Sequence, residues 1–103
     1  MDYAKHIIDA GDILAQAVKE EMTLEDTRAH VKFAAIERIM KSGDNPLTGK
    51  PHSASSAEAV VNLDEEYAAH LTQQRDAVAR KIRAKAQYDS AVAAARLRAE
   101  AVV

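Results

Sequence analysis

The sequence predicts an all-α fold, an antiparallel helical hairpin of two long helices. Apolar residues recur at helical spacing along the first forty residues. Turn-forming residues are confined to one central segment, and neither Gly nor Pro occurs after Pro51. A short connection between two helices of equal length is typical of an αα-hairpin. We therefore expect a single helical domain over residues 1–103.

A long apolar stripe predicts the first helix, at about residues 3–41. Its members follow one another by four or three residues in an eleven-residue rhythm, about 3.67 residues per turn. Thr23 and Asp26 match a variant of the capping box, so a slight bend or a break near residue 23 stays open. The unbroken stripe favours a continuous helix. The stripe consists of Tyr3, Ile7, Gly11, Leu14, Val18, Met22, Glu25, Ala29, Phe33, Ile36 and Met40.

The central segment predicts a connector at residues 43–56, because both prolines and two of the three glycines lie there. Ser55 and Glu58 form a capping box that predicts a short helix at about residues 56–61. Asp64, followed by two glutamates, predicts the start of a long helix that ends near residue 101.

The charge distribution supports the hairpin. The start of the chain is acidic and its end is basic, although the net charge is only −2. In a hairpin of two helices of equal length, the numbers of two residues that lie opposite each other would add up to about 104. The carboxylates of Glu20, Glu21 and Glu25 are therefore expected near Arg80, Lys81 and Arg83.

Large side chains are scarce, because alanine supplies much of the apolar content and only four residues are aromatic. A second apolar line on the first helix, made by Val31, Ala35 and Ile39, needs cover that one partner helix does not give. We therefore expect a homodimer, either a four-helix bundle or a coiled-coil-like assembly. The residues expected to mediate self-association are Ile7, Leu14, Val18, Met22, Phe33, Ile36, Met40, Leu71, Val78 and Ile82.

Several functional classes are disfavoured. The chain has no cysteine, no apolar run of about 20 residues and no signal-peptide pattern, so we expect a cytoplasmic protein without membrane contact. The His52 region lacks a complete catalytic triad, and residues 44–51 fail the phosphate-loop pattern. We expect no enzyme activity, no catalytic residues, no cofactor and no metal site.

Two groups of residues are candidates for binding. The basic cluster predicts contacts with nucleic acid or with an acidic partner, although its side chains spread around the helix. In the connector, Asn45, Lys50 and His52 are candidates for recognition, since loops often carry function. The basic cluster consists of Arg75, Arg80, Lys81, Arg83 and Lys85.

The segment from Asn45 to Glu58, NPLTGKPHSASSAE, and the alanine-rich closing helix resemble small helical proteins encoded by phages and prophages. The resemblance covers residues 45–103. It implies a small accessory of phage DNA metabolism, or one that acts on a host protein. These proteins share no settled activity, so the resemblance assigns no functional residue.

The sequence thus favours a non-enzymatic protein–protein interaction module of phage type, acting through a helical surface. One alternative is a nucleic-acid-binding accessory that uses the basic second helix. The other is a phage-encoded inhibitor of a host enzyme or defence complex, in which acidic residues of the first helix compete for a basic surface.

Overall fold

The chain is all-α apart from one short strand pair, in a computed structural model that describes residues 2–101. This confirms the predicted all-α class and the long first and last helices. The elements are α1 (Tyr3–Lys41), β1 (Asp44–Asn45), β2 (Lys50–Pro51), α2 (Ala54–Val60), a 3₁₀ turn (Val61–Leu63) and α3 (Glu65–Ala101).

Helix α1 is assigned as one element across residue 23. The Thr23 hydroxyl donates to the Lys19 carbonyl at 2.9 Å, so this side chain bonds back along the helix. At the N-terminus, the Asp2 carboxylate accepts from the Lys5 backbone N–H at 3.0 Å and caps the first turn. The helix ends before Gly43, whose φ of +130° suits glycine better than any other residue.

The described residues form two compact units. The first unit joins the start of α1, up to Thr23, with α3 from Arg75 onward. The second unit is continuous from Leu24 to Gln74.

In the first unit, alanines line the contact between two helix segments. They lie seven residues apart in each segment, which is the repeat of a coiled coil, about 3.5 residues per turn. We call these five residues the alanine seam, and each is at most 8% exposed. They are Ala10, Ala17, Ala77, Ala84 and Ala91.

The two segments of the first unit run in opposite directions. The Gly11 position lies against the ring of Tyr88, and Glu20 pairs with Arg80. Ala17 and Ala84, one residue of the alanine seam from each segment, border the same groove.

The second unit has a conventional small core. Ala35 of α1, Val61 of the 3₁₀ turn and Tyr67 of α3 are buried together. Half-buried residues pack around them, namely Val31, Ile36, Ile39 and Leu71. The expectation that Val31, Ala35 and Ile39 need cover from a second copy is therefore wrong, because the 3₁₀ turn and α3 of the same chain cover them.

The connector is an ordered turn that includes the strand pair. Asp44 and Asn45 pair with Pro51 and Lys50 in an antiparallel ladder. The Asn45 carbonyl accepts from the backbone N–H groups of Thr48 and Gly49, and Gly49 has a φ of +64°.

Helix α2 begins at Ala54, earlier than predicted. The N-cap is Ser53, whose hydroxyl accepts from the Ser56 backbone N–H at 3.2 Å. The capping box predicted at Ser55 is therefore wrong, although a serine two residues earlier has the same role.

The apolar stripe of α1 is only partly buried within the chain. Its early members Ile7 and Leu14 are half-buried, whereas Met22, Phe33 and Met40 are exposed. The stripe repeats every eleven residues, about 3.67 residues per turn, whereas the buried alanines repeat every seven, about 3.5 residues per turn. The two lines therefore diverge around the helix, and the stripe moves away from the buried side toward the end of α1.

The alanine seam predicts a sharp intolerance of larger side chains. Ala77→Leu is expected to lower the free energy of unfolding by about 1–3 kcal/mol, because the added atoms overpack a fully buried position. Ala79→Leu, on the exposed side of the same helix, is the matched control and should change stability by less than about 0.5 kcal/mol. Equal effects in urea unfolding would contradict the alanine seam.

Candidate functional site

The most concentrated exposed apolar surface lies on α1 in the second unit. Phe33, Ile36 and Met40 follow one another by three and four residues and share one side of the helix. We call these three residues the outer face. Phe33 is 63% exposed and Met40 is 40% exposed, while Ile36 is half-buried at the edge of the core. The single phenylalanine of the chain thus points away from the core.

The other exposed apolar side chains are more scattered. In the first unit, Ile8, Ile13, Met22, Ile82 and Leu97 are exposed, and charged residues separate them along each helix. In the second unit, Leu47 at the tip of the connector is 92% exposed. Apolar residues that are exposed singly are common on protein surfaces and indicate no particular partner.

An open groove lies along one flank of the first unit. One part, of about 290 Å³, is bordered by Ile13, Glu20, Arg80 and Arg83. An adjoining part, of about 410 Å³, also includes Ile13, together with His6 and Asp9. Two of the charged residues that border the groove, Glu20 and Arg80, already pair with each other at 3.5 Å.

Most of the predicted basic cluster is engaged within the chain. Arg80 pairs with Glu20, and Lys81 pairs with Glu21, as the charge distribution predicts. Lys85 pairs with Asp89 of its own helix at 3.0 Å. Within the described residues, only Arg75 and Arg83 of this cluster make no ion pair, so the structure does not gather the five cations into one binding surface.

Glu25 does not meet the basic cluster as expected. Its carboxylate accepts from the Gln74 side-chain amide at 3.2 Å. The register of the two helices explains the difference. The residue of α3 that lies opposite Glu25 is the neutral Gln74, one position before Arg75.

The candidate residues of the connector stabilise its local conformation. The Asn45 carboxamide oxygen accepts from the Leu47 backbone N–H at 3.0 Å, which is an Asx turn. Lys50 is the ladder partner of Asn45. The His52 Nδ1 atom lies 3.1 Å from the Ser56 hydroxyl, which places it at the start of α2. These three residues thus hold the turn that presents Leu47.

An ion-pair network joins the end of α1 to the start of α3 in the second unit. The Arg38 guanidinium donates to both carboxylate oxygens of Asp64, at 3.2 and 2.7 Å, and lies 3.2 Å from Glu66. Asp64 also accepts from the Tyr67 backbone N–H at 3.0 Å, so it caps α3. The sequence signals this cap, but nothing in it identifies Arg38 as the partner.

These hydrogen bonds shift the acid–base equilibria of both residues. The Arg38 hydrogen bonds lower the pKa of Asp64 below its usual value, and the Tyr67 N–H lowers it further. The same hydrogen bonds to Asp64 raise the pKa of Arg38.

His70 is a buried polar residue of the second unit. Its Nε2 atom lies 2.9 Å from the Leu24 carbonyl oxygen, which can only accept, so Nε2 carries the proton. His70 faces α1, at a position where the coiled-coil repeat is buried.

The structure offers no further site of an obvious class. In the part of the chain that the structure describes, no cluster of three or more His, Asp and Glu side chains is placed to hold a metal ion. None of the described helices combines the length and the apolar character that a bilayer crossing requires.

Comparison of the chain with known protein families, with characterised proteins and with solved structures gave no significant match.

The capping network predicts a defined pH dependence. Because the pKa of Asp64 is lowered by folding, its charge stabilises the fold above its unfolded pKa of about 3.9, and this stabilisation is lost as the pH falls through the folded value. Asp64→Asn keeps a capping oxygen but removes the charge. The variant should be less stable than the native chain near about pH 6, and the difference should disappear near about pH 2.

The matched control is Glu65→Gln, which removes the same charge from an exposed neighbour. Asp64→Ala removes the cap as well and should cost about 1 kcal/mol more. Thermal unfolding at both pH values measures these differences. A pH-independent difference for Asp64→Asn would show that the ion pair does not contribute.

Proposed function

We propose that this protein is a non-enzymatic protein–protein interaction module that acts as a self-associating antiparallel helical hairpin, with the dimer as its basic form. The resemblance to phage-encoded helical proteins adds the proposal that it serves as a phage-type accessory. The opposed directions of the helix segments in the first unit support the hairpin.

The single observation that carries the proposal is that small apolar side chains are buried while large ones are exposed. The buried residues of the first unit are all alanines, and none of the large side chains among the described residues is fully buried. Nine large apolar side chains of the described residues are exposed instead, from Ile8 to Leu97. Two of them, Phe33 and Met40, share one side of α1 with Ile36, and a contiguous exposed apolar patch of this kind is typical of a surface that another protein covers.

The accessible surface supports the same proposal. A folded monomer of 11.2 kDa is expected to expose about 5,700 Å², whereas this chain exposes 7501 Å². The excess of about 1,800 Å² is comparable to the surface that one subunit loses in an obligate homodimer, about 1,000–2,500 Å². Association of two copies would remove part of this excess.

The alternatives have less support. A nucleic-acid accessory would need free cations, and the ion pairs to Glu20, Glu21 and Asp89 engage three of the five in the basic cluster. An inhibitor that presents acidic residues of α1 would meet the same difficulty, since Glu20 and Glu21 are the partners in two of those pairs.

The proposal predicts the mass of two chains in sedimentation equilibrium at micromolar concentration. The mass should be unchanged between about 0.1 and 0.5 M salt, because burial of apolar surface is not screened by ions. A single-chain mass up to about 100 μM, a concentration at which a specific dimer is formed, would overturn the proposal.

A further inference from the structure

We propose that a second copy of this chain docks on the outer face of α1, so that the two α1 helices pack in parallel about a two-fold axis. The inference rests on the proposed self-association. It adds which surface is buried and in which direction the two helices run.

The outer face is exposed in a fixed orientation by the packing of the opposite side of α1. On the other side of the same helix, Ala35 is completely buried, and Val31 and Ile39 pack against the core that contains Tyr67. This packing fixes the rotation of α1, so Phe33 and Met40 stay exposed without any reorganisation of the core. A surface that is already in its binding conformation loses little entropy on association.

The spacing of the outer face suits a helical partner. Ala29, Phe33, Ile36 and Met40 follow one another by four, three and four residues, which is the pattern of the apolar positions in a coiled coil. No charged residue belongs to this line between Ala29 and Met40. Phenylalanine and methionine are also enriched where interfaces are fully desolvated.

The charges beside the outer face match in a parallel pair. Lys32 borders the face on one edge, and Glu37, five residues later, borders it on the other. In parallel coiled coils, residues at these two edge positions meet across the interface and select the orientation of the helices. Glu37 makes no ion pair within the described residues, and Lys32 remains 35% exposed in its pair with Glu58.

An antiparallel pair would use these charges less well. It would bring each edge against the same edge of the second copy, so Lys32 would not meet Glu37. The accessible surface is also consistent with a homodimer. A standard interface removes about 800 Å² from each partner, which is less than the excess accessible surface of this chain.

The first test is substitution by a charge. Phe33→Asp should raise the dissociation constant of the dimer by at least about 30-fold, while circular dichroism shows unchanged helix content. The matched control is Ile82→Asp, at a similarly exposed helical position of the first unit, which should leave the dimer intact. A dimer that tolerates Phe33→Asp but not Ile82→Asp would overturn the assigned face and leave self-association standing.

The second test is disulfide cross-linking, which is unambiguous because the chain has no cysteine of its own. Ala29→Cys and Met40→Cys should each form a covalent dimer with itself under mild oxidation, and Ile82→Cys should not. In a parallel pair equivalent residues meet along the whole line, whereas in an antiparallel pair only a residue next to the two-fold axis meets its own copy. Cross-linking of Met40→Cys to Ala29→Cys in a mixture, with neither forming a homodimer, would overturn the parallel orientation. A monomeric native chain would overturn this inference together with the proposed function.

Discussion

Alanine at every seventh position of the helix contact is the constraint on which the rest of the structure depends. Two helices that meet through methyl groups can pack closely, but they remove little apolar surface from water, and the stabilisation scales with that surface at about 25 cal/mol per Å². The ion pairs that border the alanine seam, such as Glu20 with Arg80, add little because they are exposed to solvent. The first unit therefore gains limited stability from its own contacts.

The second unit is stabilised by more varied interactions than the first. Tyr67 fills its core, His70 donates to a main-chain carbonyl, and Asp64 joins the capping of α3 to the ion pair with Arg38. These contacts determine which side of α1 faces inward, and Phe33 and Met40 consequently face outward. The surface proposed for self-association is thus a direct result of how the core is packed.

Much of the architecture is predictable from the sequence, because helix formation depends on local signals. The absence of Gly and Pro from residue 12 to residue 42 predicts α1, and Gly43 marks its end. The alanine seam is harder to find, since alanine is frequent everywhere in this chain and the larger residues follow a different rhythm. The stripe from Tyr3 to Met40 contains the most conspicuous apolar residues, yet the buried line follows the smaller ones.

In the candidate site as well, some contacts follow from simple sequence patterns, and others depend on the three-dimensional fold. The charge asymmetry correctly predicts the pairs of Glu20 and Glu21, because it depends only on the approximate register of two helices. The pairing of Arg38 with Asp64 depends on the geometry of the connector, for which the sequence has no simple signal. The outer face becomes visible only when the structure shows that Val31 and Ile39 are covered and Phe33 is not.

Phe33 and Met40, the exposed residues of the outer face, are proposed to be covered by a second copy of the chain. The most direct measurement is the midpoint of thermal unfolding as a function of chain concentration. Because association stabilises the folded state by mass action, the midpoint should rise steadily over about a hundredfold increase in concentration. A midpoint that does not change with concentration would mean that the folded chain is stable alone, which contradicts the account.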